Sequence, residues 1–92
     1  MSQSQRTVTI ASSVGLHARP AALFVKAVNA AGLAVQISKE GEEPVDARSI
    51  LGVMALGAKH GEQVLLTASG DGAEAALDEL VALLSQDLDA QE

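Results

Sequence analysis

The sequence predicts an α+β fold in which helices cover one face of a mostly antiparallel sheet. Segments that alternate polar and apolar residues, as half-buried strands do, are separated by segments in which apolar residues recur at helical spacing. Their order is strand, helix, strand, strand, helix, strand, helix. The core has to be built from small aliphatic side chains, because the chain contains 17 Ala, 12 Leu and 9 Val but one Phe and neither Trp nor Tyr. Such side chains pack well where helices lie flat on a sheet.

The first helix lies between two strands. Alternation predicts strands over residues 7–11 and 33–38. Between them the apolar period becomes helical, and the helix is predicted to end at Ala31, because Gly32 is typical of the position after a helix. Its start is open, because Pro20 suits the first helical position, whereas a helix beginning at Ala18 places Pro20 third. The predicted inward positions of this helix are Ala21, Phe24, Val25 and Val28.

A hairpin and a short helix follow. The turn at 39–42 leads into a strand over residues 43–47, and Pro44 places this strand at a sheet edge because proline cannot donate a ladder hydrogen bond. Helical spacing then predicts a short helix over residues 49–56. Its candidate inward positions are Ile50, Val53, Met54 and Leu56.

The last strand and the last helix have the clearest patterns. Val64, Leu66 and Ala68 alternate as in a half-buried strand. Asp71 and Glu74, three residues apart, have the spacing of a capping box at the start of the final helix. The inward stripe of that helix is predicted to contain Ala73, Leu77, Leu80, Val81, Leu84 and Leu88.

Charge and composition exclude several classes of function. The chain has 12 Asp and Glu against 6 Lys and Arg, so the clustered cations and stacking aromatics that nucleic acids require are absent. No apolar stretch approaches the ~20 residues of a membrane-spanning helix, and residues 1–6 lack the apolar region of a secretory signal. Cysteine is absent, which removes disulfides and thiolate ligands. We therefore expect a cytoplasmic chain with one domain over residues 1–92, bound to neither metal nor membrane.

The segment that joins the first strand to the first helix brings three chemical features together. A helix N-terminus offers unpaired backbone N–H groups and partial positive charge to an anion. Arg19 adds a cation that can bind a phosphate through two hydrogen bonds. His17 is a nucleophile of the kind that is available in neutral form near pH 7. These residues could accept a phosphoryl group, although spacing alone favours His17 as a helix cap and Arg19 as a solvated charge.

Two motifs give the chain a specific resemblance to a known family. The stretch 15–22 (GLHARPAA) is similar to the active-site signature of HPr, the histidine-containing phosphocarrier of the bacterial phosphoenolpyruvate-dependent sugar phosphotransferase system. The stretch 47–54 (ARSILGVM) resembles the regulatory-serine motif of the same family. The separation of the motifs, the chain length and the element order also match, so the resemblance covers essentially the whole chain.

The resemblance implies a fold and residue roles. The family fold is an open-faced β-sandwich, with a four-stranded antiparallel sheet in the order 1-4-2-3 covered on one face by three helices. His17 matches the histidine that is phosphorylated on Nδ1, Arg19 the arginine that neutralises the phosphoryl group, and Ser49 the serine that a dedicated kinase modifies in some members. Val14 stands where the family often has a small polar residue, and Arg48 where it often has lysine.

The resemblance further implies a phosphoryl carrier that accepts phosphate on His17 from enzyme I and passes it to EIIA components. The activity is that of a covalent phosphohistidine intermediate in a relay, rather than of a stand-alone catalyst, and no cofactor is expected. Further partners are HPr kinase/phosphorylase and a catabolite-control regulator, and a monomer is expected. Partners have to reach His17, so the candidate docking residues are apolar ones on the two nearest helices: Ala22, Ile50, Leu51 and Met54.

Two alternative functions stay open at the level of sequence. The chain could be a regulatory interaction module controlled by phosphorylation of Ser49, although the retained His17 argues against regulatory relatives that have lost this histidine. It could also be a carrier in a regulatory phosphotransfer branch that serves no sugar uptake. The second histidine, His60, lies in a loop without a second candidate ligand, so we interpret it as a solvated side chain rather than a metal ligand.

Overall fold

Four strands and three helices follow one another in the predicted order in the computed structural model, which describes residues 3–86. The strands are β1 (Gln3–Thr9), β2 (Val35–Lys39), β3 (Val45–Asp46) and β4 (Gln63–Ser69). The helices are α1 (Ala18–Ala31), α2 (Ile50–Leu56) and α3 (Ala73–Leu84). None of these helices has the length and apolar character needed to cross a bilayer.

The strands form one antiparallel sheet in the order β1-β4-β2-β3, which confirms the predicted open-faced topology. The central strand β4 pairs with β1 from Gln3 opposite Ser69 to Thr9 opposite Gln63. Its other side pairs with β2. The short strand β3 lies at the edge, directly after Pro44, as expected for a strand next to a residue without an amide hydrogen.

The three helices cover one face of this sheet. Helix α3 packs on β1 and β4, α2 packs against β2 and β3, and α1 contacts both of the other helices. Alternate residues of each long strand point into this layer, and α1 contributes Phe24 and Val28. The largest fully buried side chains are Phe24, Ile10, Leu16, Ile37, Leu66, Leu77 and Leu80. The core therefore continues up to Leu16, the residue that precedes His17.

The first strand differs from its prediction over residues 7–11. It begins at Gln3 and ends at Thr9, because β4 provides a backbone partner for each residue of this polar segment. Alternation could not reveal residues 3–6, which contain no apolar side chain. Beyond Thr9, the backbone of Ile10 leaves the ladder and bonds instead to the loop that precedes β4.

The predicted capping box at the start of α3 is wrong. The N-cap residue is Gly72, with a φ of 81°, and no side chain caps this helix. Asp71 therefore lies one residue before the N-cap position, from which a side chain could accept a hydrogen bond from a backbone amide of the first turn. The inward residues Ala73, Leu77, Leu80 and Leu84 are buried as predicted and Val81 is partly buried, whereas Leu88 lies outside the described residues.

Candidate functional site

His17 is the N-cap residue of α1. Its backbone is extended (φ −145°, ψ 156°) and its side chain makes no capping hydrogen bond. The residue is exposed, whereas Leu16 before it is 1% exposed. The imidazole is therefore presented to solvent from a backbone that the core holds in place. The interpretation of His17 as a side-chain helix cap is wrong.

Helix α1 begins at Ala18, so Pro20 occupies the third helical position. The amides of this first turn have no partner within the helix, and proline is tolerated here because its missing N–H is not needed. Ala18 has a φ of 52°, which is the left-handed region that alanine avoids. A residue held there costs about 1–3 kcal/mol and persists only where the surrounding structure fixes it. The backbone directly after His17 is therefore strained.

Arg19 is exposed beside this helix start. Within residues 3–86, no carboxylate lies within ion-pair distance of its guanidinium, and the first turn of α1 contains no acidic residue. The charge of Arg19 is therefore not compensated by a neighbour in this part of the chain. Together with the orphan amides, it favours an incoming anion at the N-terminus of α1.

The loop that carries His17 packs against the loop between α2 and β4. The amide of Leu16 donates to the carbonyl of Ala58 at 2.8 Å. Gly15 approaches so closely that a Cβ atom there would lie 2.6 Å from the Ala58 oxygen, and its φ of 76° also favours glycine. Any larger residue at position 15 would displace one loop from the other. The end of α2 is thereby fixed next to the beginning of α1.

His60 lies in this second loop and is not merely solvated, which corrects the interpretation from the sequence. Its Nδ1 lies 3.2 Å from the backbone carbonyl oxygen of Ser12. Sequence reasoning missed this contact because the two residues are 48 positions apart. Within the described part of the chain, no three His, Asp or Glu side chains are grouped as metal ligands.

Ser49 is the N-cap residue of α2, and its Oγ accepts a hydrogen bond from the amide of Gly52 at 3.1 Å. The residue is exposed. The preceding Arg48 donates from its backbone amide to the Asp46 carboxylate at 2.9 Å and from its guanidinium at 3.3 Å. These hydrogen bonds, the backbone one first, lower the pKa of Asp46 below its usual value. The carboxylate thus orders the turn that leads into Ser49.

Several apolar side chains on α1 and α2 are exposed. Leu51 is 76% exposed and Ile50 is 40% exposed, so the prediction of Ile50 as an inward position is wrong. The core contacts of α2 come instead from Val53 and Leu56, with Met54 partly buried. Ile50 and Leu51 lie at the start of α2, a helix about 10 Å long, whose end adjoins the His17 loop. Ala22 on α1 is exposed as well.

Val14 is a further exposed apolar residue, which sequence reasoning missed. It is 50% exposed and precedes Gly15 in the His17 loop. The available signal was its position in a turn-prone segment, where an apolar side chain has no core to enter. Ile50, Leu51 and Val14 are the large hydrophobic residues that stand out as exposed among residues 3–86.

The comparisons with known proteins agree with this geometry. The family model described as the PTS HPr component phosphorylation site matches residues 4–86. The chain belongs to the HPr family. It is 44% identical to the phosphocarrier protein HPr of Streptomyces coelicolor over 86 residues, which covers 94% of this chain and 92% of that protein. The HPr-like protein Crh of Bacillus subtilis is 38% identical over 84 residues, covering 91% of this chain and 98% of Crh.

A solved HPr structure supports the same assignment. The crystal structure of a phosphocarrier protein HPr from Bacillus anthracis superposes with a TM-score of 0.85 at 38% identity, covering 91% of this chain and 99% of that one. As a member of the HPr family, the chain is a phosphoryl carrier of the phosphotransferase system, and the family implies partners within that system. The observed sheet order and helix layer are those of HPr structures.

A carboxylate stabilises the loop between α2 and β4 in this HPr-family protein, so we expect the stability of the fold to depend on pH. Glu62 accepts the backbone amide of Lys59 at 2.8 Å, and the Lys39 ammonium lies 3.6 Å away. The Lys59 hydrogen bond first, and then the Lys39 charge, lower the pKa of Glu62 below 4.5. A carboxylate whose pKa is lower in the folded than in the unfolded state stabilises the fold when the pH is above its unfolded-state pKa. This stabilisation is lost as the pH falls through its folded-state pKa.

We therefore expect the melting temperature to fall on acidification below about pH 4.5, and to fall less in the Glu62→Gln variant. Thermal unfolding monitored by circular dichroism from pH 6 to pH 3 measures this. The matched control is Glu79→Gln, which removes an exposed carboxylate of α3. An acid dependence that is identical in the Glu62→Gln variant and in the unchanged protein would contradict the expectation.

Proposed function

We propose that this chain accepts a phosphoryl group on Nδ1 of His17 from enzyme I and passes it to EIIA components. The observation that carries the proposal is the exposed His17 at the N-terminus of α1, whose side chain makes no capping hydrogen bond, next to Arg19, which has no ion-pair partner among residues 3–86. The proposal treats residues 1–92 as one HPr-like domain in the cytoplasm and requires no cofactor. Nδ1 is the nitrogen that the resemblance to HPr implies.

The transfer step exchanges one N–P bond for another. The lone pair of neutral His17 Nδ1 attacks the phosphorus of the donor phosphohistidine, while the proton stays on Nε2. The new bond forms as the donor N–P bond breaks, and the donor nitrogen keeps the electron pair of that bond. The transition state is loose, with charge on the three phosphoryl oxygens. Arg19 and the orphan amides of α1 are placed to stabilise that charge without rearranging.

A carrier must also release its phosphoryl group. The features around His17 suit this requirement, because Arg19 provides a side-chain cation and the helix N-terminus provides partial charges at an exposed position rather than in an enclosed cage. Solvent weakens each of these interactions relative to a buried site. The phosphorylated state is therefore stabilised enough to form and remains able to donate to an acceptor.

The proposed docking surface consists of Ala22, Ile50, Leu51 and Met54. Ala22 and the first residues of α2 are exposed, and the fixed contact between the α2 end and the His17 loop keeps them near the acceptor. Exposed apolar side chains with polar surroundings are typical of protein interaction sites. Met54 is partly buried in the core, so its contribution is to support Ile50 and Leu51 rather than to provide most of the contact area.

Labelling with phosphoenolpyruvate and enzyme I tests the proposal. The protein is incubated with both, and the modified peptide is located by mass spectrometry at alkaline pH, where phosphohistidine survives. We expect one phosphoryl group per chain, on the peptide containing His17, and its loss after acid treatment. Absence of label, or an acid-stable label on a serine, would contradict the proposal.

A second candidate function rests on Ser49. This serine is exposed, caps α2, and is followed directly by the exposed Ile50 and Leu51. The similarity to Crh, an HPr-like protein, keeps a regulatory interaction module open. In that case HPr kinase/phosphorylase would modify Ser49, and a catabolite-control regulator would bind the modified chain. Ser49 directly precedes Ile50 and Leu51 of the docking surface proposed for the carrier, so its modification would act on the carrier function as well.

The Ser49→Asp variant is expected to accept phosphate from enzyme I several-fold more slowly while keeping its melting temperature. Aspartate caps helices about as well as serine, and a negative charge is tolerated at a helix N-terminus. The added charge instead lies beside Ile50 and Leu51, where a docking partner would have to desolvate it. Initial rates of His17 phosphorylation measure the effect.

The matched control is Ser49→Asn, which keeps the cap and adds no charge. Equal transfer rates for the Asp and Asn variants would remove the docking argument. A large fall in melting temperature for the Asp variant would instead show that the modified side chain no longer caps α2.

A further inference from the structure

The loop of residues 10–17 is held against the loop of residues 57–62 by three backbone hydrogen bonds. Ile10 donates to the Glu62 carbonyl and Gly61 donates to the Ile10 carbonyl, both at 2.9 Å. Leu16 donates to the Ala58 carbonyl at 2.8 Å. These bonds fix the two ends of the first loop. The turn between them, residues 12–15, leads directly into Leu16 and His17.

A side chain from the second loop binds this turn. The carbonyl oxygen of Ser12 accepts the Gly15 amide at 2.9 Å, which closes the turn, and His60 Nδ1 lies 3.2 Å from the same oxygen. A carbonyl oxygen can accept two hydrogen bonds, so both contacts can be made together. For its own contact, His60 must carry a proton on Nδ1. Both the Nδ1–H tautomer and the imidazolium do so.

The backbone that follows the turn is strained and needs support from outside. Ala18 has a φ of 52°, in the left-handed region that alanine avoids, whereas Gly15 adopts its φ of 76° without strain. A non-glycine residue persists in this region only where neighbouring contacts over-determine it. The second loop contacts the segment before Ala18 at Gly15 and Leu16, and His60 adds a side-chain contact at Ser12.

We propose that His60 is a positioning residue for phosphoryl transfer at His17. Its Nδ1–H donates to the Ser12 carbonyl and holds the turn of residues 12–15, so that His17 and the first amides of α1 keep the geometry that receives the phosphoryl group. The inference rests on the proposed function of His17. His60 itself receives no phosphate in this scheme.

Three variants separate the hydrogen bond from the bulk of the ring. Asparagine places its side-chain N–H₂ where histidine has Nδ1, whereas glutamine places it where histidine has Nε2. Leucine has no donor. We expect His60→Asn to transfer at nearly the unchanged rate, and His60→Gln and His60→Leu to be slower by about 3- to 10-fold, the effect of one net hydrogen bond.

Whether the His60 variants change kcat or KM distinguishes a role in positioning from a role in docking. Because Ile50 and Leu51 are not altered, we expect the loss in kcat for transfer from phosphorylated enzyme I, with KM nearly unchanged. Amide hydrogen exchange of Gly15 and Leu16, measured by NMR, should be faster in the Leu and Gln variants than in the Asn variant. This readout needs no phosphoryl donor, so it tests the hydrogen bond even if the proposed function of His17 fails.

Equal transfer rates and equal exchange in the Leu variant and the unchanged protein would overturn the proposal. So would an Asn variant as slow as the Leu variant, since the donor would then not be the cause. If the Leu variant is poorly folded, the comparison of Asn with Gln decides, because both keep a polar amide at this exposed position. Absence of any His17 phosphorylation in the unchanged protein would contradict the proposed function instead.

Discussion

Replacing His17 with alanine is expected to abolish acceptance of phosphate from enzyme I, while the fold is kept. The side chain is exposed and makes no capping hydrogen bond, so its removal takes away the nucleophile and few stabilising contacts. No other group in the first turn of α1 can replace it, because Arg19 is cationic and Pro20 and Ala21 carry no nucleophile. Labelling with phosphoenolpyruvate and enzyme I measures the loss, and circular dichroism measures the fold.

The matched control uses the other histidine. The His60→Ala variant should still accept one acid-labile phosphoryl group on His17, at a reduced rate. An acid-labile phosphate that persists in the His17→Ala variant, for instance on His60, would show that the acceptor has been assigned to the wrong residue.

Replacing Arg19 with alanine is expected to slow transfer at least about tenfold. A hydrogen bond to a charged group contributes about 1.5–3 kcal/mol, and ~1.4 kcal/mol corresponds to a factor of ten in rate. Arg19 has no ion-pair partner among residues 3–86, so its removal leaves no carboxylate of that region unpaired and should not lower stability. Single-turnover transfer from phosphorylated enzyme I measures the rate.

Lys26 provides the control for net charge. It is also exposed on α1, seven residues after Arg19, and Lys26→Ala removes one positive charge at a distance from the helix start. If both variants lose rate equally, the effect is long-range steering rather than contact with the phosphoryl group. If Arg19→Ala transfers as fast as the unchanged protein, Arg19 does not stabilise the transition state.

Local sequence patterns were sufficient for the order of elements and for most of the core. The alternation of Val64, Leu66 and Ala68 and the stop at Gly32 depend on neighbouring residues alone, and the structure confirms both. The extent of β1 depended on pairing with β4, which the polar segment before Thr7 does not show in its own sequence. The start of α3 depended on the backbone angle of Gly72, which displaced the expected cap at Asp71.

The functional site likewise combines features that local sequence predicts with features that depend on contacts between distant residues. The coincidence of His17, Arg19 and a helix start was visible in a single short segment. The strain at Ala18 and the contact of His60 with the Ser12 carbonyl arise from packing between loops that are distant in sequence. The sequence placed Ile50 both among the inward positions of α2 and among the candidate docking residues. It is exposed, because α2 has only seven residues and its apolar positions exceed what one face can bury.

The transfer of phosphate onward tests the central claim most directly. The protein is first phosphorylated with labelled phosphoenolpyruvate and enzyme I, separated from both, and then mixed with a purified EIIA domain. We predict that the label leaves His17 and appears on a histidine of EIIA, and that the His17→Ala variant transfers none. A label that loads on His17 and stays there with every EIIA offered, or one that never loads, would contradict a carrier function in sugar uptake.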